Sequence, residues 1–423
     1  MAKFVLTGGR LLEGSVTISG AKNSTLALMV ASSLGKGDVF LTNVPMNSDV
    51  YTMAEILRSI GVRVDISDEG VCINGADLNN YQPPYELIRK IRASFYTAGL
   101  LLARLGQAEV ALPGGDEIGS RPVDFHMKGF QALGADVSVE HGLMVAKSTG
   151  TGLKGSNFYI NRASVGTTVN VILAAALAEG TTVLDNPAKE PEIVDTAILL
   201  NSMGAKIRGA GTDTIRIEGV ESLHGCEHSV IPDRIEAGTF MIAAAAIGGD
   251  VLVRNVLSEH LKMPISKLRE AGAEITEGDS DIRVTTKSRC RAVDIETAVF
   301  PGFATDLQAP FAALLTQADG TGIIRETIFD NRFRYVDELR RMGADIKVER
   351  DTAIIRGIER LSGAPVEAAD IRAGVSLVIA GLMSEGITEV SGVYHIDRGY
   401  EHLEKKMTQL GASIKRVNDE TDA

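Results

Sequence analysis

The 423-residue chain has no tryptophan, three cysteines and only 5% aromatic residues. Cys72, Cys226 and Cys290 are odd in number and scattered, so they form neither a disulfide framework nor a metal site, and a reducing cytoplasm is the expected setting. Long hydrophobic runs are also missing. The longest, residues 171–178 and 374–383, fall short of the roughly 18 residues a membrane span needs, so no membrane partner is expected. No apolar core or small-residue cleavage pattern follows Met1-Ala2-Lys3-Phe4, and no secretory leader is expected. Basic charge is in deficit, with 43 Lys and Arg against 55 Asp and Glu and a net charge of −12. Sequence-independent nucleic-acid binding needs a broad basic face, so nucleic acid is not an expected partner and any anionic ligand must be held by local basic clusters. His126, His395 and His402 lack ligand-like spacing, there is no Walker-type loop, and Thr7-Gly-Gly-Arg10 is too short for a dinucleotide fingerprint. Chemistry without metal or cofactor is favoured.

What the chain does have is repetition. A polar helix ending in Gly, a small residue and an alternating strand recurs at Gly61, Gly134, Gly204, Gly272, Gly343 and Gly411, with spacings of 73, 70, 68, 71 and 68. Six units of about 70 residues therefore account for the chain. Each is expected to contain a second helix so rich in Ala, Leu, Val and Ile that it must be buried all round, at residues 24–34, 93–105, 165–178, 235–247, 307–316 and 373–383. Partner helices such as 336–342 and 401–410 carry charge on one face and are expected outside. The fold class is α/β, with sheets surrounding buried helices and two lobes of three units joined by short connections.

Basic residues lie at or just before the start of five buried helices: Lys22, Arg92, Arg162, Arg234 and Arg372. Helix N-termini present unpaired N–H groups, so cations there add to an anion site, and parallel helices would gather them at one cleft. The fifth unit has Asp306 instead. Taken alone it reads as an N-cap; as the odd member of a cationic ring it is a candidate general base. The Gly-rich loop 112–124 holds Asp116, Glu117, Arg121 and Asp124 and suits a lid. Arg332 and Arg398 precede the last two outer helices and extend the cationic set.

Eight ordered motifs carry a resemblance. Ile18-Ser-Gly-Ala-Lys22-Asn23, Leu112-Pro-Gly-Gly, Gly119-Ser-Arg121-Pro-Val-Asp124, Ser164-Val-Gly166, Glu190-Pro-Glu192-Ile-Val-Asp195, Pro232-Asp-Arg-Ile-Glu236, Asn331-Arg-Phe333 and His395-Ile-Asp-Arg-Gly-Tyr400 closely resemble the UDP-N-acetylglucosamine 1-carboxyvinyltransferase family of enolpyruvyl transferases. The sister family making 5-enolpyruvylshikimate 3-phosphate is less similar, because its Lys lies in Pro-Gly-Ser-Lys-Ser where this chain has Ser-Gly-Ala-Lys-Asn.

The resemblance implies a two-domain inside-out α/β barrel of six βαβαββ-like repeats. Residues 21–230 would form one domain and 1–20 plus 231–423 the other, with the active site in the cleft between them. The implied reaction moves the enolpyruvyl group of phosphoenolpyruvate to the 3-hydroxyl of UDP-N-acetylglucosamine, the first committed step of peptidoglycan synthesis. Lys22, Asn23, Arg92, Arg121, Arg332 and Arg398 would bind phosphoenolpyruvate, with Lys22 and Arg398 also catalytic. Asn23, Arg92, Arg121, Pro122, Val123, Asp124, Arg162, Ala163, Ser164, Val165, Asp306 and Ile328 would hold the UDP-sugar, Asp306 also accepting the hydroxyl proton. Asp370 would line the cleft.

Three departures from the family stand out. Asp116 occupies the loop position where most members have Cys, so a carboxylic acid would deliver the proton, with Glu117 pushing its pKa up and Arg121 pushing it down. A carboxylate is a weaker nucleophile than a thiolate, and resistance to the epoxide fosfomycin is the expected consequence. Arg162 stands where Lys is common, and Ala304 where Pro usually precedes Thr-Asp. A paralogue with another acceptor and a non-catalytic repeat scaffold remain open at this point.

Overall fold

The six repeat glycines each turn the chain from an outer helix into a strand, and all sit at positive φ, between 86° and 102°. Only glycine adopts that backbone without Cβ strain, so the sequence period is a conformational one. The computed structural model describes residues 2–114, 123–150 and 152–418.

The buried helices are Lys22–Ser32, Thr97–Leu105, Val165–Ala175, Arg234–Ile247, Gln308–Thr316 and Ile371–Met383. Every residue of Gln308–Thr316 is buried, which its lack of charge permits. The outer helices are Ser48–Ser59, Asp124–Ala132, Pro191–Ser202, Lys262–Glu270, Val336–Arg341 and Leu403–Gln409. The last begins later than residue 401, because His402 at φ 48° breaks the helical run. Pro191–Ser202 is the least exterior of them, burying Glu192 and Asp195 as it packs against Lys22–Ser32.

Among the described residues, strands form six separate sheets, five of four strands and one of three. The expected barrel is therefore not a closed ring of strands. In three of the four-stranded sheets, the strand before a buried helix pairs parallel to the strand after it, as Asn157–Tyr159 does with Thr181–Asp185; in the other two the partners are exchanged, Leu12–Thr17 pairing with Gly249–Arg254 and Cys226–Ser229 with Val39–Thr42. The second repeat departs from the expected phrase. Among the described residues its sheet has only Gln107–Ala111, Leu143–Ser148 and Ala135–Glu140, and the segment ahead of its buried helix forms the short helix Tyr85–Ile88 and the 3-10 turn Arg92–Tyr96.

The chain divides into two compact units, each with its own hydrophobic core. One runs from Gly20 to Ile231 and closes its first sheet with Cys226–Ser229, parallel to Val39–Thr42. The other takes the chain up to Ser19 and again from Pro232. In it Leu12–Thr17 pairs parallel to Gly249–Arg254, and Ala2–Thr7 lies between Ile387–Ser391 and Ser413–Asn418. No helix among the described residues is long and apolar enough to cross a membrane.

Candidate active site

In the unit containing both chain ends, Asp306 lies in a 3-10 turn, Thr305–Leu307, that leads into the buried helix Gln308–Thr316. Its carboxylate receives two guanidinium groups. Arg332 Nη2 donates to Oδ1 at 2.7 Å, while Arg372 donates to Oδ2 from Nε at 3.1 Å and from Nη2 at 2.9 Å. Arg332 and Arg372 are only 4% and 5% exposed, so these are charge-assisted bonds shielded from solvent. Arg372 is fixed further by lying over the Tyr400 ring, 5.2 Å from its centroid, and by its own backbone N–H, which donates to the N-cap carboxylate of Asp370 at 2.8 Å. Asp370 is thus a helix cap first, buried at the start of Ile371–Met383. Arg398 is half-buried just after the short helix Val393–Asp397.

Ile328 and Arg332 ride on the chain that leaves strand Thr321–Arg325. The first residue after that strand, Glu326, is 3% exposed, and its carboxylate accepts four hydrogen bonds. Oε1 takes Ile328 N at 2.8 Å, Phe329 N at 3.1 Å and Thr297 Oγ1 at 2.9 Å; Oε2 takes Thr305 Oγ1 at 2.8 Å.

In the unit Gly20–Ile231, Lys22 opens its buried helix at 8% exposure and pairs with Asp49, 3% exposed, at 3.3 Å. Asn23 beside it is exposed. Ser24, one residue on, donates to Asp195 Oδ2 at 2.5 Å; Asp195 also holds His228 Nε2 at 2.8 Å and Ile231 N at 3.4 Å. Arg92 begins the 3-10 turn Arg92–Tyr96 and acts electrostatically on half-buried Tyr96 and buried His126. Burial, and then Arg92, push the His126 imidazole down to a pKa of about 3. It is therefore neutral, and its Nδ1 accepts from Asn170 Nδ2 at 2.9 Å. Arg162 is exposed, two residues ahead of Ser164, whose hydroxyl caps helix Val165–Ala175 by accepting from Thr167 N at 3.3 Å. Ala163 and Val165 flank that cap and are half-buried, as is Val123 ahead of helix Asp124–Ala132, where Asp124 pairs with Lys128 at 3.6 Å.

Asp306 and Arg332 thus meet directly, and Ile328 joins them through Glu326. Lys22, Asn23, Arg92, Arg162, Ala163, Ser164, Val165, Val123 and Asp124 fall in the other unit. Asp116, Arg121 and Pro122 lie outside the described residues. Sequence reasoning noted Arg372 only as a helix start and overlooked Asp49 and Glu326. The pairing of Arg372 with Asp306 follows from the repeat register, since both begin buried helices of successive units. Asp49 and Glu326 gave no comparable signal, being ordinary acids at a helix start and a strand end.

Residues 6–407 match the family model described as EPSP synthase (3-phosphoshikimate 1-carboxyvinyltransferase), and the chain belongs to this family of carboxyvinyl transferases. Within it the chain stands with the UDP-N-acetylglucosamine 1-carboxyvinyltransferases. It is 57% identical over 418 residues to UDP-N-acetylglucosamine 1-carboxyvinyltransferase 2 of Symbiobacterium thermophilum, covering 98% of each chain. It is 51% identical to the protein of that name from Carboxydothermus hydrogenoformans, covering 99% of this chain and 100% of the relative. Among solved structures, the enolpyruvyl transferase NikO from Streptomyces tendae aligns with a TM-score of 0.88 at 24% identity, over 98% of this chain and 99% of that one. EPSP synthase from Acinetobacter baumannii aligns with a TM-score of 0.76 at 20% identity, over 99% and 100% of the two chains. At those identities the likeness is one of fold.

Proposed function

We propose that this protein transfers the enolpyruvyl group of phosphoenolpyruvate to the 3-hydroxyl of UDP-N-acetylglucosamine, releasing phosphate, as the first committed step of peptidoglycan synthesis in the cytoplasm. The observation that carries the reading is the Asp306 carboxylate gripped by Arg332 and Arg372, with Asp306 and Arg372 at the starts of the buried helices of two successive repeats. The names of relatives more than 50% identical over nearly the whole chain support the acceptor.

The reaction needs a proton removed from a hydroxyl, a proton delivered to the methylene carbon of phosphoenolpyruvate, and fixed cations for two anions. Asp306 accepts the hydroxyl proton. Arg332 and Arg372 are anion-binding groups held by a carboxylate, so the carboxylate of phosphoenolpyruvate competes for their N–H groups and frees Asp306 lone pairs for the sugar hydroxyl. Lys22, Arg121 and Arg398, with Arg92 nearby, hold the phosphate and carboxylate of phosphoenolpyruvate, and Asn23 contacts both substrates. Arg121–Asp124, Arg162–Val165 and Ile328 hold the UDP-sugar. Asp116 protonates the methylene carbon as the hydroxyl oxygen attacks its neighbour, giving a tetrahedral ketal; loss of phosphate and of a methyl proton restores the double bond. Positioned acid, base and fixed charges carry these steps through the protein's own side chains. The two sets of residues act on one pair of substrates, as the cleft expected from the resemblance requires.

Phosphate release from phosphoenolpyruvate is the test, measured with UDP-N-acetylglucosamine and with shikimate 3-phosphate for the native chain, Asp116→Ala and Asp306→Ala. The reading expects turnover with the UDP-sugar alone and large losses in both variants. Full activity in both variants overturns the assigned proton transfers, and turnover with shikimate 3-phosphate alone overturns the acceptor.

A further inference from the structure

We propose that Glu326 is a positioning residue that sets the proton acceptor and the sugar-contacting loop in register with each other, an inference that rests on the reading of Asp306 and Ile328 given above. Three of its four hydrogen bonds divide between the segments that carry those two residues. Through Oε1 it takes the backbone N–H groups of Ile328 and Phe329, which fixes the loop immediately after the strand. Through Oε2 it takes the hydroxyl of Thr305, the residue bonded to Asp306 in the 3-10 turn. Thr297 completes the arrangement. Its hydroxyl donates to Oε1 and accepts from Thr327 N at 2.9 Å, while its carbonyl accepts from Thr327 Oγ1 at 2.6 Å. The loop returns to Asp306 a second time through Arg332.

Asp306 is therefore held from two directions by one segment, through its carboxylate by Arg332 and through its backbone by Thr305 and Glu326. A buried carboxylate with two oxygens suits this task. It accepts several donors at once, and the low dielectric around it strengthens each bond. An apolar residue of equal volume would leave the N–H groups of Ile328 and Phe329 and the Thr305 hydroxyl without this acceptor. Misplacement of a reacting group by about 1 Å costs on the order of 100-fold in rate, so a clamp on the turn bearing the base is a catalytic asset without touching substrate.

The two arms of the clamp separate experimentally. Thr305→Val removes only the hydroxyl link and keeps the side-chain volume; it is expected to lower kcat about tenfold and to leave the KM for UDP-N-acetylglucosamine unchanged. Glu326→Ala, which releases both segments, is expected to lower kcat and raise that KM together. Glu326→Gln retains an oxygen for the loop N–H groups and offers an amide to Thr305 Oγ1, and is expected to restore most of both. The decisive measurement repeats Thr305→Val in an Asp306→Asn background, where a hydroxyl that works through Asp306 has nothing further to lose. An equal kcat loss in both backgrounds, or a native kcat for Thr305→Val beside a slow Asp306→Asn, overturns the clamp alone. A native kcat for Asp306→Asn overturns the proton-acceptor reading, and the clamp with it.

Discussion

Arg372 meets the Oδ2 atom of Asp306 with both Nε and Nη2, a two-pronged contact that a lysine cannot copy. Arg372→Lys is therefore expected to raise the KM for phosphoenolpyruvate about tenfold, the cost of roughly one charge-assisted hydrogen bond. The KM for the sugar nucleotide should move much less. Steady-state kinetics with each substrate varied in turn checks this, and equal effects on both substrates would argue that Arg372 only stabilises the fold.

Lys22 and Asp49 form a buried pair, their side chains 11% and 4% exposed. Asp49→Asn removes this carboxylate charge from beside the ammonium, and breaking such a pair costs about 3–5 kcal/mol at fully buried sites. The variant should melt at a lower temperature than the native chain and recover part of the loss in inorganic phosphate, which supplies the missing charge. Thermal unfolding with and without phosphate measures both effects. If phosphate shifts the two proteins equally, Lys22 is not its ligand.

On the proposed reading, Asp116 stands in the loop where the family resemblance expects the thiol that fosfomycin alkylates. The native protein is expected to keep full activity after incubation with stoichiometric drug. Asp116→Cys should become irreversibly inactivated with a matching mass increase. Covalent labelling of the native chain would refute this.

His126 gives a pH dependence whose sign is fixed. Its folded pKa, about 3, lies below the ordinary 6.5 because burial and then Arg92 disfavour the cation. The unfolded chain therefore binds a proton at this site where the folded one does not. Its contribution to stability is complete above pH 6.5 and declines as pH falls from there toward about 3. His126→Gln should flatten the fall of the urea midpoint between neutral pH and pH about 4.5, relative to the native chain. Parallel curves would place the acid sensitivity elsewhere.

The repeat was legible because each unit obeys one local rule. A glycine at positive φ and a chargeless helix leave marks that six copies make plain. The second repeat's departure was not legible, since residues 93–96 read as the first turn of its buried helix and the structure makes them part of a 3-10 turn. At the site, helix starts pointed to Lys22, Asp306 and Arg372 because dipoles and charge make such positions informative. Glu326 and Asp49 were invisible for the opposite reason. Their importance lies in which side chains and N–H groups the fold brings to them, and no spacing along the chain encodes that.

The strand Ala2–Thr7 lies between two strands near the far end of the chain, and Leu12–Thr17 lies beside Gly249–Arg254. On the ribosome these two strands are thus made long before the strands they pair with. Among the described residues, the unit from Gly20 to Ile231 contains all of its own strands and can close before Gly249 is made. Ala2–Thr7 waits unpaired until Ile387–Ser391 emerges, and its other edge stays open until Ser413–Asn418 follows. A chain stalled before that point would carry one finished unit and an exposed strand edge on the other, a form suited to capture by chaperones or to aggregation.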